Sequence, residues 1–212
     1  MKKILSEIKT PFLVTIVFIC ICGLFYPLLM TGLGQAIFPH QANGSQITAD
    51  GKVVASSLIG QDFSNDARFL KGRPSAVNYN SYTETEKTDG TYTGVASGSS
   101  NYAPSNPKLT KRVEADMTAF LKANPDVEKS EIPTDLLTQS GSGLDPDISP
   151  ASAKIQLPAI SKATKISEAD LQKIVDKNTQ GKTLGFLGED TVNVLGVNLD
   201  IAKELGLIDN VK

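Results

Sequence analysis

The sequence has only two cysteines, one histidine and no tryptophan among its 212 residues. Cys20 and Cys22 both lie in an apolar run near the N-terminus, so the rest of the chain has no disulfide and no thiol chemistry. Common zinc sites need clusters of histidine and cysteine, whereas His40 stands alone. A Ser-His-Asp set would also have to be built around this one histidine. The sequence therefore gives no support to a disulfide scaffold, a zinc protein or a serine hydrolase of that type.

Charge is missing from one long stretch, because no Lys, Arg, Asp or Glu occurs between Lys9 and Asp50. Within this gap, residues 12–30 read FLVTIVFICICGLFYPLLM. As a helix they would cover roughly 28 Å, about the thickness of a bilayer's hydrocarbon core. Membrane helices tolerate the glycine and the proline within it. We predict a transmembrane anchor over residues 11–38, marked by Phe12, Gly23, Pro27 and Met30.

The flanking charges predict the orientation of this anchor. Residues 1–10 carry three lysines and one glutamate, and basic residues beside a span stay in the cytoplasm. We therefore expect a cytoplasmic N-terminus, a single pass through the cell (inner) membrane, and an extracytoplasmic domain over residues 39–212. A cleaved signal peptide is the competing interpretation, but its apolar core of about 7–15 residues would be shorter than this run.

The domain after the anchor is mildly acidic. The whole chain carries −2 and residues 1–10 carry three lysines and one glutamate, which leaves −4 on the remainder. This charge argues against binding nucleic acid or an anionic membrane surface. The length allows one globular domain with a core and is short for two.

Patterning predicts an α+β fold with short strands and several helices. Helices are expected where caps precede apolar stripes, and strands where β-branched runs meet turn residues. The predicted helices are 107–123, 133–139, 150–160 with a bend at Pro158, 168–177 and 198–205. The predicted strands are 52–59, 184–187 and 192–197. Residues 41–50 are predicted to be a polar linker, and the polar stretch 78–106, with Tyr79, Tyr82, Tyr92 and Tyr102, a long loop.

Several catalytic motifs are matched only partly. Ser105 to Lys108 reads S-x-x-K at a helix start, as in penicillin-binding enzymes, but no K-T-G follows it. Gly181-Lys182-Thr183 lacks the first glycine of a phosphate loop. The run 94–100 (GVASGSS) has the composition of a phosphate-binding turn and nothing more. We expect no active site on this chain.

Four motifs stand in order behind the single predicted span. They are GRPSA at 72–76, SNYAPSNPKL at 100–109, DLLTQSGSGLDPDISPASA at 135–153 and LGFLGEDTVNVLGVNL at 184–199. Together they make the chain resemble the C subunit of the Kdp potassium-transporting P-type ATPase of bacteria and archaea. The resemblance covers nearly the whole chain, and SGSGLDPDISPA is its most specific part.

The resemblance implies a non-catalytic accessory subunit of a high-affinity, ATP-driven potassium uptake complex. Its partners would be a channel-like potassium-binding subunit, a P-type ATP-hydrolysing subunit and a small single-span subunit. The family is also described as a catalytic chaperone that raises the ATP affinity of the hydrolysing subunit. ATP contact by this chain is implied by that description alone, and the predicted topology favours an effect through assembly or through the span.

The family motifs supply the candidate interface residues. They are Arg73, Pro74, Ser75, Ser105, Asn106, Pro107, Ser140, Gly141, Ser142, Gly143, Leu144, Asp145, Pro146, Asp147, Ser149 and Pro150. We expect the loops they form to dock on a partner or to shape the potassium entrance. The carboxylates of Asp145 and Asp147, with the net −4, would raise the local concentration of cations. In the anchor, Gly23, Gly32 and Gly34 would allow close approach of partner helices.

Two other classes of protein stay open from the residues alone. One is a stand-alone, membrane-anchored extracytoplasmic binding or sensor protein, which would purify by itself. The other is an anchored hydrolase, whose activity would depend on Ser105.

Overall fold

The computed structural model describes residues 2–90 and 94–209 and divides the chain into two units, one up to Gln46 and one from Ile47. Tyr92, part of the predicted long loop, lies outside the described residues. The first unit is dominated by one long helical stretch. It comprises α1 (Lys2–Phe18), a π-helical segment (Ile19–Phe25) and α2 (Tyr26–Ile37), followed by the short α3 (Pro39–Ala42).

The stretch Glu7–Ile37 is a helix of 31 residues, long and apolar enough to cross a membrane, and none of it is buried. The predicted anchor over 11–38 falls on this helix, which begins earlier and ends at Ile37. Large side chains such as Phe12 and Leu28 are more than half exposed. Apolar surface on this scale needs lipid or partner helices to cover it.

The π-helical segment has a local cause in Pro27. Proline has no backbone N–H and its ring collides with the preceding turn of an α-helix. Just before it, the Tyr26 N–H donates to the Ile21 carbonyl, a step of five residues instead of four. The wider turn lets the helix continue through a proline that would otherwise break it.

The remainder of the chain combines short strands with several helices, in agreement with the predicted α+β class. Two strands form a hairpin, β1 (Gln46–Ala49) and β2 (Lys52–Ser56). Three others form an antiparallel sheet in the order β3–β5–β4: β3 (Asp147–Ile148), β4 (Thr179–Gln180) and β5 (Thr191–Asn193). The register pairs Ile148 with Val192 on one side and Thr179 with Val192 on the other.

The helices of this unit are mostly short and capped. They are α4 (Glu84–Thr88), α5 (Pro107–Ala123), α6 (Pro150–Lys154), α7 (Leu157–Thr164), α8 (Glu168–Lys177) and α9 (Val194–Glu204). Short 3₁₀ turns occur at Asn78–Asn80, Lys129–Glu131 and Thr134–Leu136. The predicted helices 107–123 and 168–177 are confirmed as α5 and α8, and the side chains of Asn106 and Ser167 cap them.

Three predicted helices were wrong in part. Residues 133–139 form only a 3₁₀ turn. Residues 150–160 form two helices, because Pro158 cannot continue α6 and instead lies in the first turn of α7. The last helix begins at Val194, four residues before the predicted start, because the Asn193 side chain accepts from the Gly196 N–H at 2.9 Å and caps it there.

The predicted strands also need correction. Residues 184–187 are a turn, with Leu184 at φ 55°, a conformation that no strand contains. Of 192–197 only the start is strand, and β2 ends at Ser56, three residues short of the prediction. The predicted linker 41–50 contains β1, whose turn to β2 places Asp50 at φ 49° and Gly51 at φ 77°. Asp-Gly is a typical pair for such a two-residue hairpin turn.

The core lies between the three-stranded sheet and helices α6 to α9. It consists of Leu70, Ile148, Ala153, Leu157, Ile160, Leu171, Val175, Val192, Val194, Val197 and Ile201. Phe63 and Phe69 pack against it, with their ring centroids 5.7 Å apart. Apolar burial on this scale supplies the main free energy of folding for the unit.

One segment crosses the core without being part of any sheet. At Leu70 the backbone N–H donates to Asn198 Oδ1 at 2.7 Å, and the carbonyl accepts from Asn198 Nδ2 at 2.9 Å. At Lys71 the backbone makes the same pair of bonds with Gln156, at 3.0 and 3.2 Å. Both amide side chains are buried. They therefore take the place of a neighbouring strand for residues 70–71, whose polar backbone groups could not otherwise be buried at low cost.

We expect Asn198→Ala to lower the free energy of unfolding by about 2–4 kcal/mol, because it leaves a buried N–H and a buried carbonyl without partners. Urea unfolding of the purified full-length chain, followed by circular dichroism, measures this change. Gln172→Ala is the matched control, because it removes an exposed amide that bonds Asp176, and it should change stability by less than about 0.5 kcal/mol. Equal effects of the two substitutions would contradict the role given to Asn198.

Candidate functional site

Residues 140–150, SGSGLDPDISP, form a loop that we call the motif loop. Small polar side chains fix its backbone from within: Ser140 Oγ accepts from the Gly143 N–H at 2.8 Å, and Ser142 Oγ from the Leu144 N–H at 3.1 Å. Asp145 Oδ1 accepts from the Asp147 N–H at 3.1 Å across the intervening Pro146. Such side-chain turns, with a proline in between, make the loop rigid.

Arg73 ties the segment 72–76 to this loop. Its Nη1 contacts Asp145 Oδ2 at 2.9 Å, and both side chains are about one quarter exposed. The same guanidinium donates to the carbonyls of Thr138 and Gln139 at 3.3 and 3.4 Å. A partly buried ion pair with further hydrogen bonds is worth more than a surface pair. The arginine thus holds both the start of the motif loop and its aspartate.

Ser75 and Tyr79 make a second connection to the motif loop. Ser75 Oγ donates to the Gly143 carbonyl at 2.6 Å and accepts from the Tyr79 N–H at 3.0 Å. The Tyr79 hydroxyl returns to donate to the Arg73 carbonyl at 2.6 Å. Burial, with the nearby charge of Asp145, raises the pKa of Tyr79 to about 12, so the hydroxyl remains a donor at physiological pH.

Close backbone approach explains two glycines. Gly143 has φ 68°, and a Cβ there would lie 2.7 Å from the Gly98 carbonyl oxygen and 2.8 Å from Val77 Cγ2. A Cβ on Gly60 would lie 2.6 Å from the Asp145 carbonyl oxygen, and the Gly60 N–H donates to the neighbouring Leu144 carbonyl at 2.9 Å. By contrast, a Cβ added at Gly141 would meet nothing within 4 Å. The motif loop is therefore packed against two other segments of backbone.

The end of the motif loop is held by Asp135, a residue the sequence did not single out. Its carboxylate accepts from the Ser149 N–H at 2.8 Å and from the Ser152 hydroxyl at 2.6 Å. Ser149 in turn caps α6 through the Ser152 N–H, with Pro150 in the first turn. The only sequence signal was an acidic residue inside the motif that begins at 135, which does not reveal its partners.

Asp147 lies where the motif loop becomes β3. Its Oδ1 accepts from Asn193 Nδ2 at 3.2 Å, and the Val194 N–H donates to the Pro146 carbonyl at 2.9 Å. Burial raises the pKa of Asp147; the hydrogen bond from Asn193 opposes the shift and Asp145 adds to it. Asn193 also caps α9, which connects the loop to the helix that carries Asn198.

The structure does not bring all the predicted residues to one place. Arg73, Pro74 and Ser75 do lie against the motif loop. Asn106 caps α5 by accepting from the Lys108 N–H at 3.0 Å, with Pro107 in the first turn and Ser105 exposed beside it. The four anchor residues Phe12, Gly23, Pro27 and Met30 belong to the other unit.

A cleft of about 470 Å³ opens between residues 71–75, α5 and Gln139, which directly precedes the motif loop. Arg112 on α5 lines it, and its guanidinium bonds Asp116 at 2.5 Å and the Leu137 carbonyl at 3.2 Å. The Arg112 Nε is buried without a partner. The guanidinium groups of both arginines that line the cleft, Arg73 and Arg112, therefore already bond other groups of this chain.

The two stretches with phosphate-loop composition do not fit a nucleotide. In residues 94–100 the Gly98 N–H donates to the Ser142 carbonyl at 2.7 Å and is not free. Gly181-Lys182-Thr183 lies in the exposed connection between β4 and β5 and does not open a helix, as a phosphate loop would. The residues that the structure describes thus give no support to the ATP contact that the resemblance implies.

Comparison with known proteins finds one matching family model and similar proteins that all carry the same name. The family model described as "KdpC: K+-transporting ATPase, c chain" matches residues 8–203. A protein of Clostridium kluyveri named potassium-transporting ATPase KdpC subunit is 61% identical over 209 residues, covering 99% of each chain. The protein of the same name from Clostridioides difficile is 58% identical, covering 96% of this chain and all of that one. One from Caldanaerobacter subterraneus is 46% identical over 94% of this chain and 96% of its own length.

Two glycines of the motif loop offer a matched test of its packing. Gly143→Ala should cost about 2–4 kcal/mol, because it adds a left-handed conformation at a non-glycine residue to a collision with the Gly98 carbonyl. Gly141→Ala, in open space, should be within about 1 kcal/mol of the parent. Urea unfolding of both full-length variants measures the difference. A Gly143 variant as stable as the Gly141 variant would show that the loop is not packed as described.

Proposed function

The chain belongs to the KdpC family, the c chain of the K+-transporting ATPase, and from this premise we propose that it is a non-catalytic accessory subunit of a high-affinity, ATP-driven potassium uptake complex. The observation that carries the proposal is the match, over 96–99% of this chain, to relatives named potassium-transporting ATPase KdpC subunit. The site geometry agrees with it, because the polar side chains of the motif loop bond other groups of the same chain and build a rigid surface.

The chain holds the complex together by contacts with three partners, which we propose from the family resemblance. These are the channel-like potassium-binding subunit, the P-type ATP-hydrolysing subunit and a small single-span subunit. The anchor helix packs on partner helices within the bilayer. Gly23 and Gly32 support this, because a Cβ added at Gly32 would meet nothing within 4 Å and one at Gly23 would meet only Ile19 of its own helix.

Outside the membrane, the motif loop and the cap formed by Ser105, Asn106 and Pro107 are the proposed docking loops. Their rigidity favours docking, since little conformational entropy is lost when a preorganised loop binds. The cation-concentrating role given to Asp145 is less well supported, because Arg73 compensates its charge at 2.9 Å. The net negative charge of the domain is the remaining source of attraction for potassium near the entrance.

We propose that any effect of this chain on ATP affinity passes through subunit contacts. Two points support this route: the stretches with phosphate-loop composition are folded in other ways, and the flanking charges favour a domain outside the cytoplasm, away from ATP. A catalytic chaperone acting in this manner shifts the conformational equilibrium of the hydrolysing subunit by binding one of its states better.

The assembly role is tested by tagging the chain, extracting it from native membranes in mild detergent and measuring potassium-stimulated ATPase activity. The expected result is co-purification of a P-type ATPase and loss of coupled activity when the gene for this chain is deleted. Thr118→Ala, at an exposed position of α5 outside the proposed docking loops, is the control, and it should retain the ATPase activity. A chain that purifies alone, with ATPase activity unchanged by its deletion, would favour the stand-alone sensor. A hydrolytic activity of the chain purified alone that Ser105→Ala abolishes would favour the hydrolase.

The orientation is tested with single cysteines in a Cys20→Ser, Cys22→Ser background. Thr118→Cys, on an exposed position of α5, should react with a membrane-impermeant maleimide in intact spheroplasts, because its domain is extracytoplasmic. Lys9→Cys, before the span, should react only after the membrane is permeabilised. Labelling of residue 9 without permeabilisation, with residue 118 protected, would reverse the proposed topology.

A further inference from the structure

The connection between β4 and β5 is an exposed projection that neither the fold nor the motif loop uses. We call residues 181–190, GKTLGFLGED, the hairpin tip. Every residue of the tip is exposed, although it joins two strands that pair in register, Gln180 with Thr191. A projection of this kind contributes little to the stability of the domain, since it buries no side chain in the core.

The hairpin tip is nevertheless ordered by its own hydrogen bonds. Thr183 and Leu187 exchange backbone bonds, N–H to carbonyl, at 2.8 and 3.0 Å, and the Gly185 N–H donates to the Lys182 carbonyl at 3.0 Å. At its base the Lys182 N–H donates to Asp190 Oδ1 at 3.1 Å. Positive φ angles at Gly185 and Gly188, and at Leu184, give the turn its shape. The tip is therefore preformed.

What the hairpin tip presents to solvent is apolar. Leu184 is 79% exposed, Phe186 71% and Leu187 50%. The fold of the domain does not require a phenylalanine and two leucines at this exposed turn, because polar residues could form the same turn. Exposed aromatic and aliphatic side chains on a preformed loop are typical of anchors that enter a pocket on a partner.

The charges of the tip decide between a protein and a lipid surface. Lys182 is opposed by Glu189, at 3.9 Å, and by Asp190, so the tip carries a net −1 next to its apolar residues. Anionic headgroups would repel this charge, and membrane-binding loops more often carry Lys and Arg beside their apolar residues. A protein cleft with a basic rim fits both the apolar residues and the acidic base.

We propose that the hairpin tip inserts Phe186, with Leu184 and Leu187, into an apolar, basic-rimmed cleft on the extracytoplasmic face of a neighbouring subunit of the potassium-transporting complex. This rests on the proposed accessory role and adds the contact surface. The tip acts as a peg: its shape is set before binding, and its three apolar side chains supply the buried area. It lies in a different segment from the motif loop, so the complex would be held at a second point.

Photo-crosslinking tests the contact directly. The photoreactive amino acid p-benzoyl-phenylalanine is placed at position 186 of the tagged full-length chain in native membranes, with the same residue at Val95 as control. Val95 is 82% exposed and lies outside the tip. The expected product is a covalent adduct of the chain with another subunit of the complex from position 186 and not from 95. Crosslinks to lipid only, to a second copy of this chain, or none from an intact complex would overturn the proposal.

Substitution measures how much the contact matters. Phe186→Asp should lower the amount of partner subunits that co-purify about tenfold or more, because it removes a buried aromatic anchor and adds a charge, whereas Val95→Asp should leave it unchanged. Both sites are exposed, so neither change should alter the unfolding curve of the chain. If the wild-type chain does not co-purify with a P-type ATPase, the proposed accessory role is wrong. If the wild-type and Phe186→Asp chains co-purify with equal amounts of partner subunits, only the proposed contact of the hairpin tip is wrong.

Discussion

The arrangement of the domain depends on two buried amide side chains that bind backbone as a β-strand would. Asn198 on α9 and Gln156 between α6 and α7 pair with the N–H and carbonyl groups of residues 70 and 71. An extended segment without a neighbouring strand could not otherwise cross a core, because unpaired polar backbone is costly to bury. These bonds fix where residue 73 emerges, and hence where its guanidinium lies.

From that fixed point the rest of the site follows in order. Arg73 reaches Asp145, Ser75 reaches the Gly143 carbonyl, and Tyr79 returns to the Arg73 carbonyl. The motif loop adds its own serine and aspartate turns, and Asn193 connects its far end to α9, the helix that carries Asn198. The network therefore closes on itself and holds the motif loop in one rigid arrangement. Rigidity of this kind suits a subunit whose work is to join others.

In the proposed accessory role, the N-terminal apolar helix, the motif loop and the hairpin tip share the work of joining subunits among separate parts of the chain. The anchor offers an apolar helix surface, the motif loop a fixed polar surface, and the tip a preformed apolar peg. Because several modest contacts on one chain act together, a single subunit can hold a complex more firmly than any one contact would. Membership of the KdpC family, the c chain of the K+-transporting ATPase, relates this proposed division to potassium transport.

The sequence by itself determined the long apolar N-terminal helix, the α+β class, helices α5 and α8 and the family, because hydrophobic runs, caps and motif order are local and can be read along the chain. It placed Arg73 and Asp145 in the site but did not pair them. The prediction of a strand at 184–187 was wrong, because apolar residues on an exposed turn give the same sequence pattern as a buried strand. Only the tertiary structure decided the amide pairing of residues 70–71, the role of Asp135 and the exposure of the tip. These depend on contacts between residues as far as 128 positions apart, which no local pattern encodes.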